Sequence, residues 1–516
     1  MKAIRLLYIL GFMSCWSCNN MLSVEPEIAV TYTNYFQDEK DVYKAFTDLY
    51  AKMREVYFQY QLQPHHKMGL VYDKCNEYYS YADELKNLSA EAFKKVSGTS
   101  WVLHYNVIFQ ANMILDNMYR AKDLTAERRD FYTGHCCFAK GLMYYEAARR
   151  WGNVPITKDS KSIDPLGRSE IKVVLDTAIS NALQAFNLLK NYEQSLDING
   201  NVLKKYYAHK GAAAALLANI YAWKGGLFND MEAYKEAEKY CTLILENKVG
   251  IYKMVDTPEE VCSVVSNRLS SESVFELLNS TTDFGYTTGR FAPGINFHIG
   301  ENYGYGGYPL NPFGTESNNQ YNNLYLITND RVKQIWGDED LRRSAYFWKF
   351  EEMAAADEEI TGGYAYPYFW REPILDKNWV PAEMINVDGN KIFWRLAEIY
   401  LLRAEARCRA SLPGAADDLN VVRGRAHAKS YPADTDTEGL QMAIFRERER
   451  EMFFDGERYY DIVRNGYYNL PGMISETFEK LTEQDVKDGA LYVPIMDVEM
   501  ERNTLMRQNP YWMAKW

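Results

Sequence analysis

The sequence predicts a mainly α-helical protein: an array of about four tetratricopeptide-like helix pairs with a large irregular, loop-rich insertion. Three observations support this fold class. Long segments repeat apolar residues at intervals of three and four, small residues occur where paired helices would cross, and one long stretch lacks any helical period. The match to the repeat motif is loose, so a generic helical bundle without repeat ancestry is the alternative.

The helical pattern appears in pairs of segments along the chain. The pairs lie near residues 41–119, 135–189, 206–247 and 394–426. Four consecutive alanines, 212–215, would let a neighbouring helix approach closely in the third pair. Between the third and fourth pairs, Gly, Pro, Asn and aromatic residues increase, and only "SESVFELLNS" (271–280) is typical of a buried strand. A structureless stretch of this length is uncommon in a compact protein unless it is functional.

The first residues have the composition of a secretory signal. Two basic residues precede the apolar run Leu6–Met13, which is too short to span a bilayer. The run leads to Ser17–Cys18, which resembles a bacterial lipobox, although Cys15–Trp16 replaces the usual leucine and small residue. We therefore expect Cys18 to be acylated, as with palmitate, and to anchor the mature protein to a membrane. An ordinary secreted protein cleaved nearby is the alternative.

These signals divide the chain into five parts. We expect a signal peptide over 1–17, a lipidated tether over 18–38, an N-terminal helical repeat region over 39–250, the irregular insertion over 251–390 and a C-terminal helical region over 391–516. No segment after the signal has the roughly 18 apolar residues that a transmembrane helix needs.

Composition excludes some classes of function. The net charge is −12, from 58 basic and 70 acidic residues, which argues against a nucleic-acid partner. The six cysteines other than Cys15 and Cys18 lack CxxC spacing, so we expect buried thiols instead of a zinc site or a disulfide framework. The pair His65–His66 lacks metal-ligand spacing on a helix, and no phosphate-binding glycine loop or nucleophile motif occurs. We expect neither a metal nor a cofactor.

Several motifs together resemble the SusD/RagB family of Bacteroidetes-type surface lipoproteins. They are "SCNNMLSVEP" (17–26), "YYEAARRWGNVPI" (144–156), "RLAEIYLLRAEA" (395–406), "LNVVRGRA" (419–426), "EMFFDGERYYDIVRNG" (451–466) and "VPIMDVEMERNTLMRQNPYW" (493–512). Positions matching the family's C-terminal pattern are Glu447, Arg448, Glu451, Phe454, Gly456, Arg458, Asp461 and Arg464. Asp455 replaces the usual Glu, and Asn153 replaces an Asp.

The resemblance implies eight helices in four tetratricopeptide-like pairs, with an irregular segment before the last pair. It also implies an outer-membrane lipoprotein that faces the cell exterior. Such a protein captures an oligomeric nutrient, most often a glycan, and delivers it to a SusC-like TonB-dependent transporter. A peptide or glycopeptide receptor of the same fold is an alternative. A surface glycoside hydrolase is a weaker one, since it would need two carboxylates across a cleft.

Glycan binding needs flat aromatic faces together with amides or carboxylates for the sugar hydroxyls. The irregular stretch "ENYGYGGYPLNPFG" (301–314) offers Tyr303, Tyr305 and Tyr308 as platforms, with Asn302 and Asn311 as hydrogen-bonding partners; Tyr321 continues this composition. The alternative for these rings is that they anchor a long loop.

The family also contacts ligands through the connection between its first two helices. Here that connection holds Tyr78, Tyr79 and Tyr81, followed by Trp101, for which packing under the loop is the alternative that we favour. Trp370 and Trp379 are weaker candidates.

The charge run "RERERE" (446–451) could suggest a polyanion site, but alternating charges more simply predict a solvated helix with i, i+4 ion pairs.

Overall fold

The structure is a computed structural model. It describes residues 35–58, 64–75, 81–96, 99–279, 325–356, 362–371, 373–376, 383–387, 389–475 and 477–516. Cys18, Tyr78, Tyr79, Asn302, Tyr303, Tyr305, Tyr308, Asn311, Tyr321 and Trp379 therefore lie outside the described residues. Among those that are described, no helix combines the length and the apolar character needed to cross a bilayer.

In the part of the chain that the structure describes, eight helices form the framework, as the family resemblance implies. They are α1 (Glu39–Phe58), α2 (Val102–Asn117), α3 (Ala126–Trp151), α4 (Ile171–Leu188), α5 (Lys210–Phe228), α6 (Met231–Leu245), α7 (Leu396–Arg409) and α8 (Ala415–Arg425). Each helix packs against the next, so that the eight make four consecutive pairs. The mainly helical fold class with a tetratricopeptide-like array is confirmed.

Local sequence explains where these helices begin and end. The Thr125 side chain accepts a hydrogen bond from the backbone N–H of Arg128 and so caps α3, which ends at Gly152 with a φ of 70°. Helix α5 is buried along its alanine run, 212–215. At Gly226 the carbonyl of Arg464 comes so close that a β-carbon would lie 2.2 Å from its oxygen, so only glycine permits this contact.

Two further helices carry the C-terminal signature. Helix α9 (Leu440–Glu451) packs against α7 and α8, and α10 (Arg458–Asn465) packs against α5. The other helical segments are short: Pro64–Gly69, Tyr81–Lys86, Ala90–Lys95, Met118–Arg120, Tyr192–Gln194, Pro258–Glu260, Val261–Val265, Asn329–Ile335, Arg342–Tyr346, Phe350–Ala355, Glu483–Lys487, Asp497–Arg502 and Pro510–Met513.

Three small sheets lie within or beside the insertion. The strands are β1 (Lys74–Cys75), β2 (Ser273–Leu277), β3 (Tyr325–Thr328), β4 (Tyr364–Ala365), β5 (Pro373–Asp376), β6 (Glu383–Val387) and β7 (Lys391–Arg395). They pair as β1–β3–β4, β2–β7 and β5–β6, all antiparallel. The buried strand predicted within 271–280 is confirmed as β2, whose five residues are all buried. Because β2 pairs with β7, the chain between them leaves and returns at one place beside α7.

The insertion has a hydrophobic core of its own. Tyr346, Phe347, Phe369 and Trp370 pack there against Phe454, which belongs to the C-terminal signature. The Phe454 ring lies 5.0 Å from the Phe369 ring and 5.4 Å from the Trp370 ring. The end of helix α9 therefore leads directly into the aromatic core of the insertion.

The prediction that the "RERERE" run is a solvated helix is wrong. Glu447, Arg448 and Glu451 are only 0%, 1% and 2% exposed, whereas Arg446 is exposed and keeps a local pair with Glu449. The buried charges find partners far away in sequence, although Glu447 also pairs with Arg450 one turn away. Two buried carboxylates and four arginines form a set that we call the buried carboxylate network: Glu447, Glu451, Arg342, Arg395, Arg423 and Arg425.

Glu451 lies at the centre of this network. Its carboxylate accepts hydrogen bonds from Arg395 at 2.5 Å, from Arg342 at 3.1 Å and from Arg425. Arg342 comes from the insertion, Arg395 from β7 and Arg425 from α8. Glu447 holds Arg342 as well, at 2.7 Å. The network thus joins the insertion to the last helix pair without contact with water.

The remaining thiols match the prediction where they are described. Cys136, Cys137, Cys241 and Cys262 are free and buried, and Cys408 is free and half-buried. Burial raises the pKa of Cys262 to about 12, so that it stays a neutral thiol.

We expect Glu451→Gln to lower the free energy of unfolding by about 3–5 kcal/mol, because it leaves three buried guanidinium groups without their shared carboxylate. Denaturant unfolding followed by circular dichroism measures this loss. Arg446→Gln, on the exposed side of the same helix, is the control and should cost less than about 0.5 kcal/mol. Equal losses of unfolding free energy for the two variants would contradict the stabilising role of the buried carboxylate network.

Acid should weaken the same interactions. Burial alone would raise the pKa of Glu447, Glu451 and Glu405, but neighbouring arginines outweigh it and lower each pKa from 4.5 to about 2. Their stabilisation is therefore complete above pH 4.5 and is lost as the pH falls towards 2. Unfolding free energies measured across this range should fall less steeply for Glu451→Gln than for the wild type. Glu232→Gln, which removes an exposed carboxylate, should leave the pH dependence of the unfolding free energy unchanged. The same pH dependence in all three proteins would show that protonation of Glu451 is not the cause of the acid destabilisation.

Candidate functional site

The three-stranded sheet β1–β3–β4 connects the two tyrosine-rich segments singled out in the sequence. In this sheet Cys75 pairs with Tyr325, and Thr328 pairs with Tyr364. Residues 76–80 follow Cys75 directly, and residues 280–324 directly precede Tyr325. Both segments are thus attached at the same end of the sheet, although they are far apart in sequence.

A partly exposed carboxylate ties β1 to β3 at the other end. Asp73 accepts hydrogen bonds from the backbone N–H of Thr328 at 2.8 Å, from its hydroxyl at 2.7 Å and from Arg331 Nε at 3.0 Å. Partial burial would raise the pKa of Asp73, but these hydrogen bonds outweigh it and hold the pKa below its usual value. Asp73 is therefore ionised at neutral pH, and the two strands are held in register.

Aromatic and cationic groups fix the residues on either side of β1. The Tyr72 ring packs 4.9 Å from that of Tyr325, and its hydroxyl donates a hydrogen bond to Asp83. The Lys86 ammonium lies 3.8 Å from the centre of the Tyr72 ring and donates to the Leu70 carbonyl. Asp83 and Lys86 belong to the short helix Tyr81–Lys86, which begins at one of the predicted site residues. The structure describes the backbone of Tyr81 but not its side chain.

A cluster of half-buried rings lies beside this sheet, and the sequence analysis missed it. The chain continues from β4 towards the end of the sheet where Cys75 and Tyr325 pair, and it carries Tyr366 and Tyr368. The Tyr368 ring packs edge-on against Trp348 at 4.8 Å, and the Arg371 guanidinium lies 3.7 Å from its centre. We call Trp348, Tyr366, Tyr368 and Arg371 the Trp348 cluster.

Backbone pairing and an ion pair hold the Trp348 cluster in place. The N–H of Trp348 donates to the Tyr366 carbonyl at 2.8 Å, and Arg371 donates to Glu259 and to the Ala345 carbonyl. The sequence signal that could have identified it is "YAYPYFW" (364–370), in which tyrosines alternate with small residues as on a strand with one exposed face.

Two predicted tryptophans lie in the core instead. Trp101 is 7% exposed and packs edge-on against Trp151 at 5.8 Å. It is therefore a packing residue, which is the alternative favoured by the sequence. Trp370 is also 7% exposed and packs against Phe454. Neither ring offers a free face to a ligand.

The enclosed cavity beneath β7 is too small for a nutrient. Its volume is about 30 Å³, enough for one or two water molecules, and it is lined by charged groups that include Lys391, Glu398 and Asp455. Burial raises the pKa of Glu398 to about 8 despite the nearby Arg448. In the described ranges no group of three or more His, Cys, Asp or Glu side chains could hold a metal ion.

Two family models match different parts of the chain. A model described as "SusD family" matches residues 327–512, and one described as "Starch-binding associating with outer membrane" matches residues 22–222. Among curated proteins, SusD-like protein P25 of Formosa agariphila is 25% identical over 500 residues, covering 89% of each chain. SusD-like protein P38 of the same organism is 22% identical, covering 89% of this chain and 90% of the relative.

Solved structures share the fold. A SusD homolog from Bacteroides thetaiotaomicron superposes with a TM-score of 0.74 at 21% identity, covering 93% of this chain and 99% of that one. NanU of B. fragilis superposes with a TM-score of 0.71 at 19% identity, covering 94% of this chain and 99% of its own.

Proposed function

Because this chain belongs to the SusD/RagB family, whose members bind glycans at the cell surface with SusC partners, we propose that it captures an oligosaccharide and delivers it to a TonB-dependent outer-membrane transporter. The observation that carries this proposal is the pairing of Cys75 with Tyr325. This pairing attaches the two tyrosine-rich segments at one end of one sheet.

The binding surface that we propose has two components. The first comprises the predicted residues of the attached segments, which are Tyr78, Tyr79, Tyr81, Asn302, Tyr303, Tyr305, Tyr308 and Tyr321. The second is the Trp348 cluster, whose rings are half-buried and fixed by packing. Tyrosine suits this role because its ring face packs against sugar C–H groups while its hydroxyl bonds to sugar hydroxyls.

Binding alone would account for such a surface, and we propose no catalytic step. The buried carboxylates of Glu447 and Glu451 are in ion pairs with arginines, where they are not available as an acid and base. Glycan capture followed by transfer to a transporter requires affinity and release, but no bond breaking.

Location follows from the proposed acylation of Cys18. The family model that spans residues 22–222 is described as associating with the outer membrane. We propose that acyl chains on Cys18 hold the protein on that membrane, facing the cell exterior and next to its SusC-like partner. Multiple acyl chains, at about 0.8 kcal/mol per buried CH₂, would make the anchoring stable.

The glycan proposal is tested by replacing Tyr303, Tyr305 and Tyr308 together with alanine. Binding to a panel of plant, host and microbial glycans should weaken by about tenfold or more, since several stacking contacts are lost, while thermal stability should not change. Affinity electrophoresis measures the binding, and analysis of new reducing ends tests for cleavage. Tyr119→Ala removes a 65% exposed ring that belongs to neither component of the proposed surface, and it serves as the control. Product formation would indicate a hydrolase, and binding only to peptides would indicate the peptide-receptor alternative.

The anchoring proposal is tested by Cys18→Ala in the full-length protein. The variant should lose labelling by a palmitate analogue and leave the outer-membrane fraction, whereas Cys408→Ala should retain both. Unchanged membrane association of the Cys18 variant would exclude the lipid anchor.

A further inference from the structure

An open groove runs along the outer surface of the helical array, far in sequence from the tyrosine-rich segments. It lies between α4 and α5 and has a volume of about 640 Å³. Its lining residues are Asp176, Ile179, Ser180, Leu183, Gln184, Asn187, Leu188, Tyr221 and Lys224. Because both walls are long packed helices, the shape of the groove does not depend on a loop.

The groove has an apolar floor and a polar rim. Ile179 is 8% exposed, and Leu183 and Leu188 are half-buried, so they form the floor. Asp176, Ser180, Gln184 and Asn187 are exposed and follow one another every three or four residues on one face of α4. This places one polar side chain about every 5–6 Å along the groove.

The hydrogen-bonding capacity of this rim is unused within the described chain. No other described residue bonds to the side chains of Ser180, Gln184 or Asn187, or to the hydroxyl of Tyr221. Together these groups supply hydroxyl and amide donors and acceptors. A ligand with many hydroxyl groups would satisfy them at successive turns of the helix.

Tyr221 forms one wall of the groove and is held rigidly. Its half-buried ring lies parallel to the ring of Tyr240 on α6, with centroids 6.0 Å apart, and Phe186 packs edge-on against Tyr240 at 5.4 Å. A fixed tyrosine ring beside a row of amides is the combination that binds sugar rings.

The charges in the groove cancel. Asp176 and Lys224 are its only charged lining residues, and they pair with each other at 2.7 Å. The groove therefore lacks the excess of positive charge that an anionic ligand or a nucleic acid would need. Its chemistry favours an uncharged, hydroxyl-rich chain.

We propose that the α4–α5 groove is a second binding site for a neutral oligosaccharide, separate from the site formed at the β1–β3–β4 sheet. A surface protein with two such sites would bind two stretches of one polysaccharide chain, and its overall affinity for long chains would exceed that of either site.

The test uses the mature protein and linear hexasaccharides of glucose, mannose and xylose as probes. In the Tyr303, Tyr305 and Tyr308 triple-alanine background, one of these probes should still protect the amides of residues 176–188 from hydrogen exchange. Adding Tyr221→Ala should weaken this remaining binding by about tenfold. Adding Gln184→Ala with Asn187→Ala, which alters only exposed side chains, should weaken it several-fold. Tyr119→Ala should have no effect.

The possible results separate the two sites. If none of the probes protects α4, the groove proposal is wrong, even when wild-type binding depends on Tyr303, Tyr305 and Tyr308. If α4 is protected but the triple substitution changes no affinity, the groove proposal stands and the site at the sheet fails. Protection of α4 that neither the Tyr221 variant nor the amide variants reduce would also overturn the groove proposal.

Discussion

The architecture depends on two carboxylates that are removed from water together with the arginines that neutralise them. Glu451 receives one arginine from the insertion, one from β7 and one from α8, while Glu447 shares the first of these. Taking such charges out of water costs several kcal/mol per ion, and only close, complete pairing recovers it. The insertion can therefore dock in one arrangement, because any shift would leave a buried charge without its partner. The positions of the sheet β1–β3–β4 and of the Trp348 cluster depend on this arrangement.

The helical framework could be predicted from the sequence because its determinants are local. Apolar spacing, a capping threonine and a closing glycine set the limits of α3, and the alanine run of α5 marks a close helix contact. The "RERERE" run could not be interpreted in the same way. Its alternating charges satisfy the rule for a solvated helix, but the partners of Glu451 are distant: Arg342 lies 109 residues away and Arg395 lies 56 residues away. Partners at such distances are set by tertiary packing and leave no mark on local periodicity.

The binding surface that we propose could be predicted from the sequence only in part. Aromatic residues in irregular sequence pointed to the segments around Tyr78 and Tyr305, but nothing in the sequence showed that these segments are attached side by side. Trp101 and Trp370 were indistinguishable in sequence from surface rings, and packing decided their burial. The Trp348 cluster and the α4–α5 groove differ from these segments and tryptophans. The side chains of each come from separate parts of the chain, and the binding chemistry that we propose for them becomes visible only when these parts are assembled.

The central claim is that the two tyrosine-rich segments form one ligand surface at the end of the β1–β3–β4 sheet. Hydrogen exchange measured with and without a bound oligosaccharide tests this most directly. The residues that flank the two segments are far apart in sequence, so their exchange can be followed in separate peptides. The account predicts that ligand slows exchange together at residues 72–75, 325–328 and 364–368, with the same dependence on ligand concentration. Slower exchange on one flank alone, or at different ligand concentrations on the two flanks, would contradict it.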